Sequence, residues 1–378
     1  MTSPAEPRRP PPPFPLTVLT GFLGAGKTTL LNRLLRDPAL AETLVIVNEF
    51  GEIGLDHLLV EASDNDMILM SSGCLCCSIR GDLVTTLEDI LRRRDNDRIT
   101  PCRRVVVETT GLADPAPVLH TIMYHPYLAM RFHLDGVVTL VDAVNGAATL
   151  DAHEEAVKQA AVADRLVLTK TDLLAGPDAA ARLARLRQRL RDLNPAARQL
   201  VAADGEASAA NLLDAGFYDA DAKIPDVRKW LNAEAFAIFR GGHDHGRDVN
   251  RHDARIRAFC LTGDKPMPAG GFDMFLNLLR QAHGPKLLRV KGIVCLDDDP
   301  DRPVVIHGVQ HVFHPPARLD RWPDDDRRTR VVFILRDLEP SFVEGLWRAF
   351  TGEVAVDRPD AAALTASPLT PATGGLLG

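Results

Sequence analysis

Residues Gly21 to Thr28 read GFLGAGKT and fit the spacing G-x-x-x-x-G-K-[ST]. Each residue type in that pattern has a task. Glycine lets the backbone wrap closely enough for its N–H groups to face phosphate oxygens. Lys27 brings a cation to the β- and γ-phosphates, and the Thr28 hydroxyl is of the type that ligates Mg²⁺. A helix opening here adds its partial positive charge. The phosphate site drawn from this run is Gly21, Gly24, Ala25, Gly26, Lys27 and Thr28. VVVETTG (105–111) ends in Glu108, a carboxylate suited to holding Mg²⁺ through water. Gly111 follows three positions on and lets a backbone N–H approach a γ-phosphate. Lys27, Thr28 and Glu108 form the catalytic set. LTKTD (168–172) matches the guanine-reading pattern N-K-x-D except that Thr169 stands in place of asparagine. The Asp172 carboxylate accepts from guanine N1–H and N2–H₂ together, an arrangement adenine does not offer, and the Lys170 stem lies along the base. GTP is expected over ATP.

A second chemistry stands beside the first. Cys74, Cys76 and Cys77 fall within four residues, half of the six cysteines in the chain. Thiolates bind soft and borderline metals such as Zn²⁺. Three sulfurs leave a tetrahedral position open, which suits a site that must release its metal. Glu49 and Glu52, in VNEFGEIGLDH (47–57), are candidate extra ligands, and Asp56 in the same loop is a candidate for positioning Mg²⁺. Buried core cysteines or a redox pair are the plainer alternatives. His243, His245 and His252 form a weaker candidate for metal in a polar loop, where a solvated role competes evenly. His307, His311 and His314 are expected to be structural or surface residues, with His307 and His311 on one face of a regular strand.

These residues need elements to hold them. Short apolar runs at 16–21, 43–48, 67–73, 103–111, 134–143 and 165–170 read as strands. Amphipathic runs at 27–37, 82–94 and 179–193 read as helices. Strands alternating with helices imply a mostly parallel sheet with helical crossovers, an α/β domain spanning 16–215. Residues 216–254 read as a linker that includes the histidine loop. Strands at 255–263, 287–296, 303–313 and 328–338, with helices at 272–283 and 340–350, imply a smaller α+β domain over 255–352. Residues 1–15 are proline-rich and read as extended or disordered, and 353–378 read as a flexible tail.

Composition excludes other classes. Lys+Arg number 44 against 51 Asp+Glu, a net charge of −7, so coating nucleic acid or an anionic membrane is not the expected task. No apolar run approaches the roughly 20 residues of a membrane span. Few cysteines and the absence of an export signal point to the cytoplasm.

Taken in order, GFLGAGKTTLLN, NEFGEIGLDH, GCLCC, ETTGLADP, VDAVN and LTKTD resemble the CobW family of metal-handling GTPases, including its YjiA-like branch. The likeness continues at RVKGIVCLDDDPDRPVVIHGVQHVF and RVVFIL. It implies a phosphate-loop GTPase domain followed by a CobW-type carboxy-terminal domain. It also implies slow GTP hydrolysis linked to delivery of Zn²⁺ or another transition metal to a client metalloprotein. By motif it adds Thr29 to the phosphate and Mg²⁺ residues. It assigns γ-phosphate sensing to Glu108 and Gly111, guanine to Lys170 and Asp172, and the cargo metal to Cys74, Cys76 and Cys77. Alternatives within the class are activators of cobalt or iron enzymes, with nickel a further candidate metal. Outside it stand a non-enzymatic metal buffer and a small-molecule kinase. A homo-oligomer is compatible with all of these.

Overall fold

The computed structural model describes residues 13–40, 42–48, 67–70, 78–96, 98, 102–213 and 255–352. Seven strands form one sheet in these residues: β1 (Phe14–Gly21), β2 (Thr43–Asn48), β3 (Met67–Met70), β4 (Arg104–Glu108), β5 (Phe132–Asp142), β6 (Arg165–Thr169) and β7 (Arg198–Val201). Their order is β3-β2-β4-β1-β5-β6-β7, and every pairing is parallel. The strands are near-continuous Val, Leu and Ile because both faces are covered. On one face α2 (Ser78–Asp95), α3 (Ala116–Tyr124) and α4 (Pro126–Arg131) bury Leu87, Leu91, Leu119 and Leu128 against Leu16, Val18 and Val107. On the other, α1 (Lys27–Leu35) buries Leu30, Leu31 and Leu34 against Leu19, Val45 and Leu140. Beyond them lie α5 (Gly146–Ala152), α6 (Glu154–Ala161), α7 (Ala179–Leu193) and the single turn α8 (Ala209–Leu212).

The chain runs to one side of the sheet from β1 and to the other from β5. Ligands bind at such a reversal, outside the carboxyl ends of the strands. Here those ends carry Gly21, Glu108, Asp142 and Thr169.

The second sheet is antiparallel. It contains β8 (Ile256–Gly263), β9 (Leu287–Val294), β10 (Val304–Val309), β11 (Val312–Phe313), β12 (Ala317–Arg318) and β13 (Thr329–Arg336). Its order is β11-β10-β9-β13-β8, with β12 paired to β10. The helices α9 (Ala269–His283) and α10 (Pro340–Thr351) cover one face through Phe272, Phe275, Val343 and Trp347. The other face meets the first domain: Ile256, Leu288 and Ile334 join the core of α6 and α7.

A buried polar contact lies in the same interface. Asp164, between α6 and β6, accepts hydrogen bonds from Arg289 and from Lys291 Nζ (2.9 Å), both on β9. Its other oxygen accepts from the Val137 N–H at 2.9 Å. Burial by itself raises the Asp164 carboxyl, but Arg289, Lys291 and His307 outweigh it and hold the group well below the usual carboxylate range. Burial pushes the Lys291 ammonium down to about 8 against the pull of Asp164.

Several expectations need correction. β1 begins at Phe14, inside the proline-rich segment, because Phe14 is buried and pairs with Phe132. The stretch 303–313 is a hairpin and not one strand: Gln310 takes φ 55°, and Val309 pairs with Val312. His307 and His311 therefore do not share a strand face. His307 is buried with its ring 5.1 Å from that of His314, and His311 sits in the exposed turn with its ring 4.2 Å from that of His120. Helices α3 to α6 and strand β7 have no counterpart in the sequence reading. They are four to nine residues long, too short for a helical or alternating period to stand out.

Candidate functional site

The phosphate loop is built from close backbone approaches. A Cβ on Gly21 would lie 2.7 Å from Leu140 O, so β5 admits only glycine there. Gly24 and Gly26 take φ 73° and 90°, in the left-handed region that glycine enters without strain. The Ala25 N–H donates to Phe22 O at 3.1 Å and closes the loop. Helix α1 starts at Lys27 with Gly26 as its cap, so Thr28 and Thr29 stand in its first turn. Lys27 Nζ arches back over the loop and donates to Gly21 O at 2.9 Å and Phe22 O at 3.3 Å.

The run after β4 is fastened to the same loop. Glu108 is 5% exposed at the strand end. Thr109 Oγ1 donates to Thr20 Oγ1 at 2.7 Å, and the Thr109 N–H donates to Leu19 O at 2.9 Å. These bonds carry the chain to Gly111, where an added Cβ would fall 2.7 Å from Leu23 N. The glycine is thus required by contact with the phosphate loop itself. Glu108 and Thr28 offer carboxylate and hydroxyl oxygens, a donor set that fits a hard divalent cation.

The third side comes from the ends of β5 and β6. Thr169 Oγ1 donates to Ala25 O at 2.8 Å, so the hydroxyl in the asparagine position braces the phosphate loop. Lys170 takes φ 57°, and its Nζ donates to Asp142 Oδ2 at 2.8 Å. Burial alone raises the Asp142 carboxyl, but the bonds from Lys170, Asn145 and the Val144 N–H bring it below its usual range. Asp172 is exposed in the one-turn helix Thr171–Leu173 that follows. A cavity of about 140 Å³ lies between Phe22, Gly24, Asp142, Asn145, Gln159 and Lys170. A further cleft of about 650 Å³ between α5 and α7 contains none of the site residues expected from sequence.

The structure therefore brings together Gly21, Gly24, Ala25, Gly26, Lys27, Thr28, Thr29, Glu108, Gly111, Thr169, Lys170 and Asp172 at the carboxyl ends of β1, β4 and β6, one end of the sheet. Glu49, Glu52, Asp56, Cys74, Cys76, Cys77, His243, His245 and His252 lie outside the described residues. Among the described residues no group of three His, Cys, Asp or Glu is placed to hold a metal ion, and no helix is long and apolar enough to cross a membrane. Three residues of the site had no assigned role from sequence. Asp142 and Asn145 close VDAVN, and an Asp at a strand end followed by Asn three positions on was their signal. Gln159, buried in mid-helix, gave none.

Known proteins share these features. The family described as CobW/HypB/UreG, nucleotide-binding domain, matches residues 15–201. The cobalamin synthesis protein cobW C-terminal domain matches residues 256–351. The zinc chaperone YjiA of Escherichia coli is 32% identical over 323 residues, covering 85% of this chain and 94% of the relative. The zinc chaperone CobW of Pseudomonas aeruginosa is 31% identical over 367 residues, covering 87% and 89%. A crystal structure of Zn(II)-bound YjiA GTPase, with one glutamate and two cysteines changed to alanine, superposes with a TM-score of 0.69. It shares 26% identity, over 89% of this chain and 99% of that one.

Proposed function

The chain belongs to the CobW/HypB/UreG family and is a GTPase; from that premise we propose that it couples GTP hydrolysis to the carriage of Zn²⁺ by Cys74, Cys76 and Cys77 and its transfer to a client metalloprotein. The observation that carries the nucleotide half is the bond from Thr169 to Ala25 O. It ties the guanine-reading loop to the phosphate loop and leaves Asp172 exposed at the same end of the sheet. Backbone N–H groups of Gly24 to Thr28 hold the phosphates, Lys27 compensates charge on the β- and γ-phosphates, and Gly111 meets the γ-phosphate. Bound Mg²⁺, held by Thr28 with Glu108 and Asp56 directly or through water, supplies further neutralisation of phosphate charge.

The metal half draws support from residue chemistry and from the relatives. Two of them are named zinc chaperones. The cargo set of Cys74, Cys76 and Cys77, with Glu49 or Glu52 completing it, rests on residue chemistry, because zinc is still bound in the YjiA structure in which one glutamate and two cysteines are alanine. A metal bound by three thiolates and a carboxylate is held less tightly when one ligand withdraws, and the stretch 71–77 lies in sequence between the proposed nucleotide-sensing stretches 47–57 and 108–111. Slow hydrolysis then serves as a timer. We propose that the GTPase domain runs from β1, which begins at Phe14, to about residue 215, and that the domain at 255–352 faces the client. The non-enzymatic buffer leaves the assembled phosphate loop without a task.

Hydrolysis of GTP and ATP, each with and without Zn²⁺, tests this reading. The expected result is GTP turnover well above ATP turnover, with a zinc dependence that disappears in the Cys74→Ser, Cys76→Ser, Cys77→Ser variant. Equal use of both nucleotides, or a zinc effect that survives in the variant, contradicts it.

A further inference from the structure

Helix α6 touches both the loop after β4 and the antiparallel sheet. Gln159 is 1% exposed on it. Its Nε2 donates to Gly111 O at 3.1 Å and to Ala113 O at 2.9 Å. Two carbonyl neighbours admit only the NH₂ end of the amide, so the orientation is fixed by chemistry. One residue earlier, Lys158 pairs with Asp114 at 3.7 Å. The helix is itself anchored, since Thr139 Oγ1 on β5 donates to Gln159 O at 2.8 Å. At its N-terminal end Glu154 pairs with Arg336 on β13. Just past its C-terminal end, Asp164 holds Arg289 and Lys291 on β9. The loop from Gly111 to Asp114 is thus gripped by the middle of a helix whose two ends grip the second domain.

We propose that Gln159 is a positioning residue for GTP hydrolysis, setting the Gly111 backbone against the γ-phosphate, and that α6 transmits this setting to the carboxy-terminal domain. The proposal rests on the assignment of Gly111 to the γ-phosphate. GDP has no γ-phosphate, so it makes no demand on the loop. GTP pulls on Gly111, and the two bonds from Gln159 turn that pull into a displacement of α6 against β9 and β13. By reciprocity, contacts at the sheet bias the position of Gly111.

The test uses the full chain in zinc-free GTPase assays with Mg²⁺ present, so loss of the proposed zinc site leaves the readout in place. Gln159→Leu removes both bonds at similar volume, and Gln159→Glu keeps the shape while setting a carboxylate against two carbonyls. Both are expected to lower kcat about tenfold or more, with the KM for GTP and the affinity for GDP within about threefold of wild type. Arg336→Ala, remote from the nucleotide, is expected to lower kcat about threefold and to add nothing in the Gln159→Leu background. Unchanged kcat in the Gln159 variants overturns the proposal. So does a joint fall in kcat, GDP affinity and thermal midpoint, which marks a packing role only. Effects of Gln159→Leu and Arg336→Ala that simply multiply overturn the transmission through α6. A wild-type chain inert towards GTP overturns the parent reading first.

Discussion

Replacing Thr169 by valine keeps its shape and removes the hydroxyl that donates to Ala25 O. A bond of this kind is worth about 1 kcal/mol, so affinity for GTP and GDP is expected to fall about fivefold together, while Thr169→Ser stays near wild type in the same titration. Asparagine in the related guanine motif braces the loop with an amide. Here the Thr169 hydroxyl braces the phosphate loop. Discrimination is a separate matter, which we propose rests on Asp172, exposed beside the site. Asp172→Asn swaps an ionised acceptor for a neutral amide. The ratio of GTP to ATP affinity is expected to drop by about tenfold or more, read by competition against a fluorescent nucleotide. Gly111→Ala puts a methyl group 2.7 Å from Leu23 N. One of the two loops must move, so GTP hydrolysis is expected to fall far more than GDP binding, which single-turnover assays beside GDP titration will separate.

At the level of elements, the interface between β9 and the end of α6 concentrates buried charge. Asp164→Asn leaves Arg289 and Lys291 buried with no carboxylate between them, and is expected to cost about 3–5 kcal/mol in urea unfolding of the whole chain. His307 and His314 add a pH dependence. Burial, with Arg289 next, pushes His307 well below its ordinary 6.5 and His314 down to about 4. Between those values the unfolded chain takes up protons that the folded chain refuses, so stability rises with pH across that window and is lost as pH falls from 6.5 towards 4. Asp164 stays ionised throughout, because its carboxyl is held below 3.8 and its contribution disappears only at still lower pH. Urea midpoints at several pH values will check the slope. Much of the scaffold was readable from local pattern: β2, α1 and α7 lie close to their apolar periods, and the phosphate loop carries its own spacing. The interface was not, because the partners Asp164 and Arg289 stand 125 residues apart. One trace of it was visible, since Arg289 and Lys291 interrupt an otherwise apolar strand on the same face. Gln159 left no trace, as its partners are backbone carbonyls and any sequence supplies those.

For the molecule as a whole, the parallel sheet supplies the nucleotide end and the antiparallel sheet lies against the helices that brace it. Under the proposed transmission through α6, such packing makes the second domain responsive to the first without requiring contact with the nucleotide. Coupling between GTP and zinc is the remaining link and the central claim. Because a YjiA variant lacking one glutamate and two cysteines still carries Zn(II), the count of bound zinc is the readout, and not its presence. The decisive measurement is a competitive Zn²⁺ titration of the full chain and of the Cys74→Ser, Cys76→Ser, Cys77→Ser variant, each with GDP, with a non-hydrolysable GTP analogue and without nucleotide. The variant is expected to lose one equivalent of zinc. The lost site's affinity in wild type is expected to differ between the GTP and GDP states by the same factor by which zinc shifts the preference for GTP over GDP. Equal zinc counts in the two chains, or a zinc affinity indifferent to nucleotide, would contradict the central claim.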